Sequence, residues 1–247
     1  MPSAKGTTGK MKAVSIIVRT RNEAAWIGRT LAAVFAQDFG GAEVIVVDSG
    51  SEDATLSIAA AFPVTILQIP AESFTYGYAL NAGARAARGD CLVALSAHAE
   101  PANRRWLSEL MRPFEDPRVA GSSSRQIPHP GHRLETYLVF WRALYALRFR
   151  PRPVYRYLFS NASSAVRRCL WQEHPFDEKL ASCEDHFWAL RMQKLGYRIA
   201  YCPASVVLHS HKVPVTTRLK RDWRELSALV KGYCQRGRAG DATREEA

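Results

Sequence analysis

The stretch that decides the fold is VIVVDSGSEDAT, residues 44–55. Its first four residues are apolar, and a run of this length predicts a strand buried in a parallel sheet. The strand ends on Asp48, and the residues from Asp48 to Ser51 form a predicted turn. Asp53 follows at the start of a helix that we predict through Ala61. A buried strand, a polar turn and a helix in direct succession are typical of an α/β fold.

The alternation of strand and helix continues on both sides of this unit. Further buried strands are predicted at 13–18, 64–69 and 91–95, with helices between them. Four alternations with short connections predict an α/β domain with a mostly parallel central sheet flanked by helices. Such sheets bind ligands at the carboxyl ends of their strands. Polar residues fall at three of those ends: Thr20–Asn22, Asp48–Ser51 and Ser96–His98.

A second informative stretch is SCEDHFWALRMQKLGYRIAYCPASVVLH, residues 182–209. The acidic pair Glu184–Asp185 opens a predicted helix. Two short strands follow, separated by a break at Pro203, and the second one ends on His209. Acids at a helix start and imidazoles at a strand end are groups that a hydrolytic or group-transfer site needs. The alternative is that the acidic pair only caps the helix. The two predicted strands are 198–201 and 206–208.

Charge is distributed unevenly along the 247 residues, which carry a net charge of +11. Residues 125–168 contain nine arginines and one acid, Glu135, for a net charge of +8, and Tyr, Trp and Phe interleave with the arginines. We predict a helix within this Arg/aromatic-rich insert and an amphipathic C-terminal helix from about Thr216. Basic patches attract phosphate groups, whether these belong to nucleotides, nucleic acids or anionic lipids.

Several kinds of site are disfavoured because their motifs are missing. No G-x-G-x-x-G follows the first strand, which argues against a dinucleotide site, and no P-loop motif occurs. The five cysteines are scattered without C-x-x-C spacing, which argues against a zinc cluster and favours a reduced, cytoplasmic protein. No apolar run approaches the ~20 residues of a membrane span. The first residues lack the apolar segment of a signal peptide.

Four stretches of the chain form one set: VSIIVRTRNEA, VIVVDSGSEDAT, ALNAGARAARGD and FSNASSAVRRCLWQEHPFDEKLASCEDHFWALRMQKLGYRIAYCP. Taken together, they resemble the family 2 glycosyltransferases, which have the GT-A fold. In the first of them Arg19 and Arg21 stand where the family often has Pro and Tyr. The resemblance extends to bacterial polysaccharide and rhamnosyl-type transferases. It implies one GT-A-like domain over 13–211, with a nucleotide-sugar half at 13–125 and an acceptor half at 126–211, followed by a C-terminal helix and tail at 212–247.

The resemblance also implies roles for individual residues. Asp185 resembles the family's catalytic base, which would give transfer with inversion. Glu184 would orient Asp185 or raise its pKa as a like-charge neighbour. Asp48 would bind the base or the ribose of the nucleotide. The further candidates for contacts with the nucleotide sugar are Thr20, Asn81, Ser96 and His98.

The metal motif departs from the family pattern. The family carries Asp-x-Asp after the fourth strand, and its second Asp binds a divalent metal, whereas this chain has Ser96-Ala97-His98. Imidazole suits Mn²⁺ less well than carboxylate does. Three roles stay open for His98. It could donate to the diphosphate, it could ligate Mn²⁺ or Mg²⁺ together with His209 or His211, or it could be a hydrogen-bonded structural histidine.

These observations predict transfer of a sugar from a UDP- or dTDP-sugar to a hydroxyl group of a saccharide or lipid-linked acceptor, in cell-surface polysaccharide or glycolipid synthesis. No nucleic-acid partner is expected. The basic, aromatic insert predicts peripheral contact with the inner face of the cytoplasmic membrane. Two alternatives stay open: a nucleotidyltransferase, which shares the architecture, and a non-enzymatic module that binds single-stranded nucleic acid.

Overall fold

The computed structural model describes residues 13–130, 159–210 and Ser227. Within these residues the chain forms an eight-stranded mixed sheet with helices packed on it. The strands are β1 Val14–Thr20, β2 Ala42–Asp48, β3 Thr65–Gln68, β4 Cys91–Ser96, β5 Ala99–Pro101, β6 Val119–Ile127, β7 Ser163–Arg167 and β8 Arg198–His209. The helices are α1 Ile27–Phe35, α2 Thr55–Ala59, α3 Tyr76–Ala86, α4 Trp106–Met111, α5 Arg168–Glu173 and α6 Glu184–Lys194.

The order of the strands across the sheet is β3-β2-β1-β4-β7-β6-β8-β5. The first four strands in this order pair in parallel, and they form the unit that the sequence predicts. β7 runs antiparallel to both β4 and β6, and β5 runs antiparallel to β8, whereas β6 and β8 are parallel. The α/β prediction is therefore confirmed, but the sheet becomes mixed beyond β4.

Two layers of apolar side chains fill the space between the sheet and the helices. On β1, Val14, Ile16 and Val18 face one layer, and Ile17 faces the other, as the two-residue period of a strand requires. The first layer includes residues of α1 and α4, and the second includes residues of α3, α5 and α6. Full burial of one such side chain contributes about 1.5–3 kcal/mol. The two layers hold the strands in register, so the strand ends that carry the polar residues lie together.

Helix α3 approaches the sheet closely at Gly83. A Cβ atom at this position would lie 2.5 Å from Cγ2 of Ile17 and 3.0 Å from Cγ2 of Val47. Glycine therefore allows α3 to lie directly on β1 and β2. The first residue of α3, Tyr76, is brought to the end of β1, where the guanidinium carbon of Arg19 lies 5.0 Å from the centre of its ring.

Strand β8 differs from its prediction. The sequence predicts two strands separated at Pro203, whereas the structure has one strand from Arg198 to His209. The pairing of β8 with β6 shifts in register between Ser124 and Arg125, which lie opposite Cys202 and Val206. This irregularity accommodates Pro203, which has no N–H group to donate to a ladder.

Some predictions fall on residues outside the described ranges. They are the helix in the Arg/aromatic-rich insert, the C-terminal helix and tail at 212–247, and the metal candidate His211. Among the helices of the described ranges, none has both the length and the apolar character that a membrane crossing requires.

Candidate active site

The loops after β1 and β2 are joined to each other by hydrogen bonds. The main-chain N–H of Asn22 donates to Oγ of Ser51 at 2.8 Å, and Oδ1 of Asn22 accepts from the N–H of Glu52 at 2.8 Å. The N–H of Glu23 donates to Oγ1 of Thr55 at 2.7 Å. Asn22 has a φ of 53°, a left-handed conformation that Asn adopts more readily than most residues. The two loops thus form one connected rim beside the ends of their strands.

Asp48 is buried, and its carboxylate holds the turn after β2. Its Oδ2 accepts from the main-chain N–H groups of Gly50 and Ser51 at 3.0 Å each, and its Oδ1 accepts from the hydroxyl of Ser51. Gly50 has a φ of 84°, which this turn needs and which glycine adopts without strain. Asp48 therefore shapes the turn. Direct binding of a base or a ribose by Asp48 stays a prediction.

Thr20 and Ser96 lie at the ends of neighbouring strands. Thr20 is 4% exposed, and its Oγ1 has no hydrogen-bond partner among the described residues. A buried hydroxyl group without a partner costs about 1–3 kcal/mol, which supports Thr20 as a contact for a ligand. Ser96 is partly exposed, and it lies opposite Arg19 in the parallel pairing of β1 with β4. The strand ends therefore share one edge, as the sequence predicts.

The acidic pair Glu184–Asp185 occupies the first turn of α6, where the helix dipole favours negative charge. Arg191 and Lys194 lie in the last turn, where the dipole favours cations. Cys183, directly before the helix, has a φ of 66° and a ψ of 20°. This left-handed conformation costs a residue other than glycine about 1–2 kcal/mol. The backbone is thus strained directly before the two acids, a common feature of functional sites.

Asn161 and Arg19 connect the acidic pair to the rest of the edge. The main-chain N–H of Asn161 donates to Oδ2 of Asp185 at 3.0 Å, and Nδ2 of Asn161 donates to Oε1 of Glu184 at 3.2 Å. The carbonyl oxygen of Asn161 accepts from Nη2 of Arg19 at 3.1 Å. The main-chain N–H of His186 donates to Oδ1 of Asp185 at 2.7 Å. The start of α6 is therefore tied to the end of β1 and to the segment before β7.

The two acids have different surroundings. Burial, followed by the charge of Asp185, raises the pKa of Glu184 to about 7, against the opposing effects of Arg19 and the Asn161 hydrogen bond. Burial also raises the pKa of Asp185, against the N–H groups of Asn161 and His186 and the charge of Arg19. Asp185 accepts from two main-chain N–H groups and is the more exposed of the two. The two N–H donors and the greater exposure therefore stabilise negative charge better on Asp185 than on Glu184.

His98 follows β4, and a hydrogen bond joins it to the loop after β1. Its Nδ1 lies 2.7 Å from Oε1 of Glu23. Its ring stacks on that of His209, with 4.9 Å between the ring centroids and 14° between the planes. Nδ1 of His209 in turn lies 2.8 Å from Oε1 of Gln126. The structure thus brings the predicted pair His98 and His209 together and adds Glu23.

The arrangement of these imidazoles does not fit a shared metal ion. A metal bound to a ring nitrogen lies close to the plane of that ring, and two stacked, nearly parallel rings share no such point. Within residues 13–130 and 159–210, no group of three or more His, Cys, Asp or Glu side chains is placed to hold an ion. Joint ligation by His98 and His209 would require one ring to turn. A role for Mn²⁺ or Mg²⁺ therefore stays a prediction.

Asn81 is a structural residue, contrary to the prediction that it contacts a nucleotide. It is 1% exposed, and its Nδ2 donates to the carbonyl of Phe176 at 2.8 Å and to Oε1 of Glu178 at 2.9 Å. Its Oδ1 accepts from Nε1 of Trp171 at 2.8 Å and from the N–H of Phe176 at 3.2 Å. Because both ends of the amide are occupied, Asn81 ties α3 to the segment that follows α5.

Comparison with known proteins identifies a family. The sequence profile of Glycosyl transferase family 2 matches residues 15–172. The O-antigen chain rhamnosyltransferase RfbN of Salmonella typhimurium is 28% identical over 215 residues, which cover 80% of this chain and 66% of that protein. The O-antigen chain rhamnosyltransferase WbaN of Salmonella anatum is 31% identical over 183 residues, which cover 68% of this chain and 56% of that protein. The chain thus spans less than two thirds of the length of these two relatives.

Solved structures show the same architecture. The mannosyltransferase PcManGT from Pyrobaculum calidifontis, in complex with GDP-Man and Mn²⁺, has a TM-score of 0.68 and 24% identity, and the match covers 89% of this chain and 64% of that one. Glucosyl-3-phosphoglycerate synthase from Mycobacterium tuberculosis, in complex with Mn²⁺, UDP and phosphoglyceric acid, has a TM-score of 0.67 and 23% identity, with 89% and 78% covered. At these identities the likeness establishes the fold, which is the GT-A fold.

Proposed function

Because the chain belongs to glycosyl transferase family 2, we propose that it transfers a sugar from a nucleoside diphosphate sugar to a hydroxyl group of a saccharide or lipid-linked acceptor. The observation that carries this proposal is the Glu184–Asp185 pair at the start of α6, which Asn161 ties to the end of β1. The pair supplies a carboxylate next to the strand ends that bind ligands in open α/β sheets. The two rhamnosyltransferase relatives support a place in polysaccharide synthesis.

The transfer needs a base, and Asp185 is the group best placed to act as one. The oxygen of the acceptor hydroxyl attacks the anomeric carbon of the donor sugar, and its proton passes to the carboxylate of Asp185. The bond between the anomeric carbon and the diphosphate oxygen breaks, and the nucleoside diphosphate departs. A single displacement of this kind inverts the configuration at the anomeric carbon. Burial raises the pKa of Glu184 to about 7 and so disfavours the carboxylate form that a base needs.

The donor lies, in this proposal, along the edge formed by the ends of β1, β2 and β4. Thr20 and Ser96 contact the nucleotide sugar there, and Asp48 holds the turn against which the base and ribose lie. The departing diphosphate gains negative charge, which donors placed in advance at the site stabilise. In this proposal His98, whose Nδ1 bonds to Glu23 at this edge, donates to the diphosphate. The expected donor is a UDP- or dTDP-sugar.

A binding and turnover experiment tests this function. UDP-, dTDP- and GDP-sugars are screened by thermal shift, with and without Mn²⁺, since a ligand of the native state raises its melting temperature. The accepted donor is then incubated with candidate acceptors. Release of the free nucleoside diphosphate supports glycosyl transfer, whereas release of pyrophosphate from a nucleoside triphosphate would indicate a nucleotidyltransferase. A protein that binds and turns over none of these donors would refute the proposal.

Substitution of the base gives a second test. Asp185→Asn should lower turnover by ~10²–10⁴ and leave the fold and nucleotide binding intact. Glu115→Gln is the control for loss of a carboxylate, because Glu115 is an exposed acid between α4 and β6 and does not line the cleft beside Glu184. Turnover by Asp185→Asn at the level of this control would remove Asp185 from the mechanism.

The acceptor is expected at a membrane surface. Residues 125–168 carry a net charge of +8 with interleaved aromatic residues, and each basic residue near an anionic surface contributes roughly 1 kcal/mol. Contact with the inner face of the cytoplasmic membrane would bring the enzyme to a lipid-linked acceptor. In a flotation assay, anionic vesicles should carry the protein at low salt and release it as salt rises, and neutral vesicles should not carry it. If the protein remains in the soluble fraction with anionic vesicles at low salt, the membrane prediction is wrong.

The family match covers residues 15–172, which include both the first strands and the Arg/aromatic-rich insert. These are the regions on which the nucleotidyltransferase and nucleic-acid alternatives depend. Neither alternative accounts for the Glu184–Asp185 pair next to the strand ends. The pair therefore favours glycosyl transfer over both.

A further inference from the structure

Asn161 is buried, with 1% of its surface exposed, and all four of its polar groups have partners in the structure. Its side-chain Nδ2 donates to Glu184 and its main-chain N–H donates to Asp185. Its carbonyl oxygen accepts from Arg19. Its side-chain Oδ1 accepts from the hydroxyl of Ser164 at 2.7 Å. One residue therefore contacts both acids of the pair and the arginine that faces them.

The Ser164 bond determines which way the amide of Asn161 is turned. Because Oδ1 accepts from Ser164, the Nδ2 end faces Glu184 and can only donate to it. The main chain on either side is also held: the carbonyl of Ala162 accepts from the N–H of Ser96, at the end of β4, at 3.0 Å. Asn161 thus lies between the end of β4, where the donor is proposed to bind, and the acids at the start of α6.

We propose that Asn161 is a positioning residue for the reaction, which fixes the orientation of Glu184 and Asp185. This inference rests on the proposed function. The main-chain N–H of Asn161 donates to Asp185 and stabilises its charge, while the side chain holds Glu184 in place next to it. Asn161 acts through these two acids and not on the sugar itself.

The charged groups that face the pair come from three sides. Arg19 faces it from β1 and favours the ionised form of both acids, and His186 adjoins it on α6. On the outer side of Glu184 lies a cleft of about 310 Å³. Besides Glu184, two acids and two bases line it, so their charges balance: Asp177, Glu178, Lys179 and Arg191.

The test uses a variant of the same shape, Asn161→Asp. The new carboxylate can still accept from Ser164, but it faces Glu184 with an acceptor in place of a donor and adds a negative charge beside Asp185. Like charge raises the pKa of a carboxyl group, so the proton should leave Asp185 only at higher pH. Near neutral pH we expect a loss of kcat of about tenfold or more, and an acid limb of the pH–rate profile about one pH unit higher. Binding of the nucleoside diphosphate should change less than about twofold, because the substitution alters none of the residues proposed to contact the nucleotide sugar.

Asn81→Asp is the matched control. Asn81 is as buried as Asn161, and its Nδ2 also donates to a glutamate, but that glutamate is Glu178 rather than a member of the acidic pair. Asn81→Asp should have a lower melting temperature than wild type, and the acid limb of its pH–rate profile should not shift. If Asn161→Asp only destabilises the protein, with the acid limb unchanged for the folded enzyme, Asn161 is structural and the inference is wrong.

A second variant covers the case in which Asn161→Asp does not fold. Asn161→Ser removes the amide group that donates a hydrogen bond to Glu184 and adds no charge. It should lower kcat, while the KM for the nucleotide sugar and the affinity for the nucleoside diphosphate stay close to wild type. An equal loss in all three would overturn the positioning role. Failure of the proposed function gives a different result, because wild-type protein would then release no nucleoside diphosphate from any donor.

Discussion

The buried carboxyl group of Glu184 should make the stability of this protein fall with rising pH, and Glu184→Gln should remove that fall. Glu184 is 4% exposed, and burial and the charge of Asp185 raise its pKa from 4.5 to about 7. The variant keeps the shape of the side chain and an oxygen that can accept from Nδ2 of Asn161. It cannot ionise. The difference between the two proteins therefore reports the free energy of ionising Glu184 in the folded state, including its interaction with Asp185.

The sign follows from the number of bound protons. Between pH 4.5 and about 7 the folded protein keeps a proton on Glu184 that the unfolded chain has released, so the free energy of unfolding falls as pH rises. Each pKa unit corresponds to about 1.36 kcal/mol, which gives an upper limit of about 3 kcal/mol for the whole shift. Below this window both states are protonated and the two proteins should be equally stable. Above it Glu184→Gln should be the more stable by up to about 3 kcal/mol.

Guanidinium denaturation at about pH 5 and about pH 8 measures this difference. Glu115→Gln serves as the control for loss of a carboxyl group, because Glu115 is exposed and does not line the cleft beside Glu184. A difference in stability between Glu184→Gln and wild type that is the same at both pH values would refute the reasoning, since it would mean that Glu184 titrates alike in the folded and unfolded chain. Greater stability of the wild type at the higher pH would refute it as well.

Three further substitutions follow from single contacts. Gly83→Ala should destabilise the protein by about 1–3 kcal/mol, because its Cβ would lie 2.5 Å from Cγ2 of Ile17; an unchanged denaturation midpoint would show that α3 can move away. Cys183→Gly should be more stable than Cys183→Ala by about 1 kcal/mol, because only glycine relieves the left-handed conformation; equal midpoints would show that no strain is stored there. His98→Ala should weaken binding of UDP or dTDP far more than that of the free nucleoside, measured by calorimetry, and an equal loss for both would make His98 structural.

The sequence predicts the parallel half of the sheet because each strand there is a short apolar run bounded by turns. The strands at Val14–Thr20, Ala42–Asp48 and Cys91–Ser96 lie within a few residues of their predicted positions. The second half is less predictable because its pairing depends on partners far away in the chain. β7 lies antiparallel between β4 and β6, and nothing local to residues 163–167 specifies this. The unbroken strand through Pro203 likewise depends on a register shift in β6.

Site residues were predictable where chemistry follows a strand end and unpredictable where it depends on a side chain's partners. The acidic pair and the stacked histidines follow from motif and position. Asn81 and Asn161 show the limit of prediction from sequence. Both lie in stretches that resemble the family, but their side chains have different partners. The amide of Asn81 is occupied by α5 and the segment that follows it, whereas the amide of Asn161 faces the acidic pair. Arg19 was noticeable in the sequence only because it stands where the family often has Pro. Its contact with Asn161 could not be predicted from the sequence.

Adjacent acids at the start of a helix can have different roles because they receive different hydrogen bonds from the main chain. Asp185 has a short side chain that accepts from two main-chain N–H groups at 3.0 and 2.7 Å, so its negative charge is stabilised in place. Glu184 has a longer side chain that enters the interior and receives one amide donor at 3.2 Å. Burial then favours the proton on Glu184, and a neutral Glu184 avoids repulsion with the carboxylate beside it. Negative charge is thereby better stabilised on Asp185 than on Glu184, and because a base for an acceptor hydroxyl must be ionised, Asp185 is the candidate base.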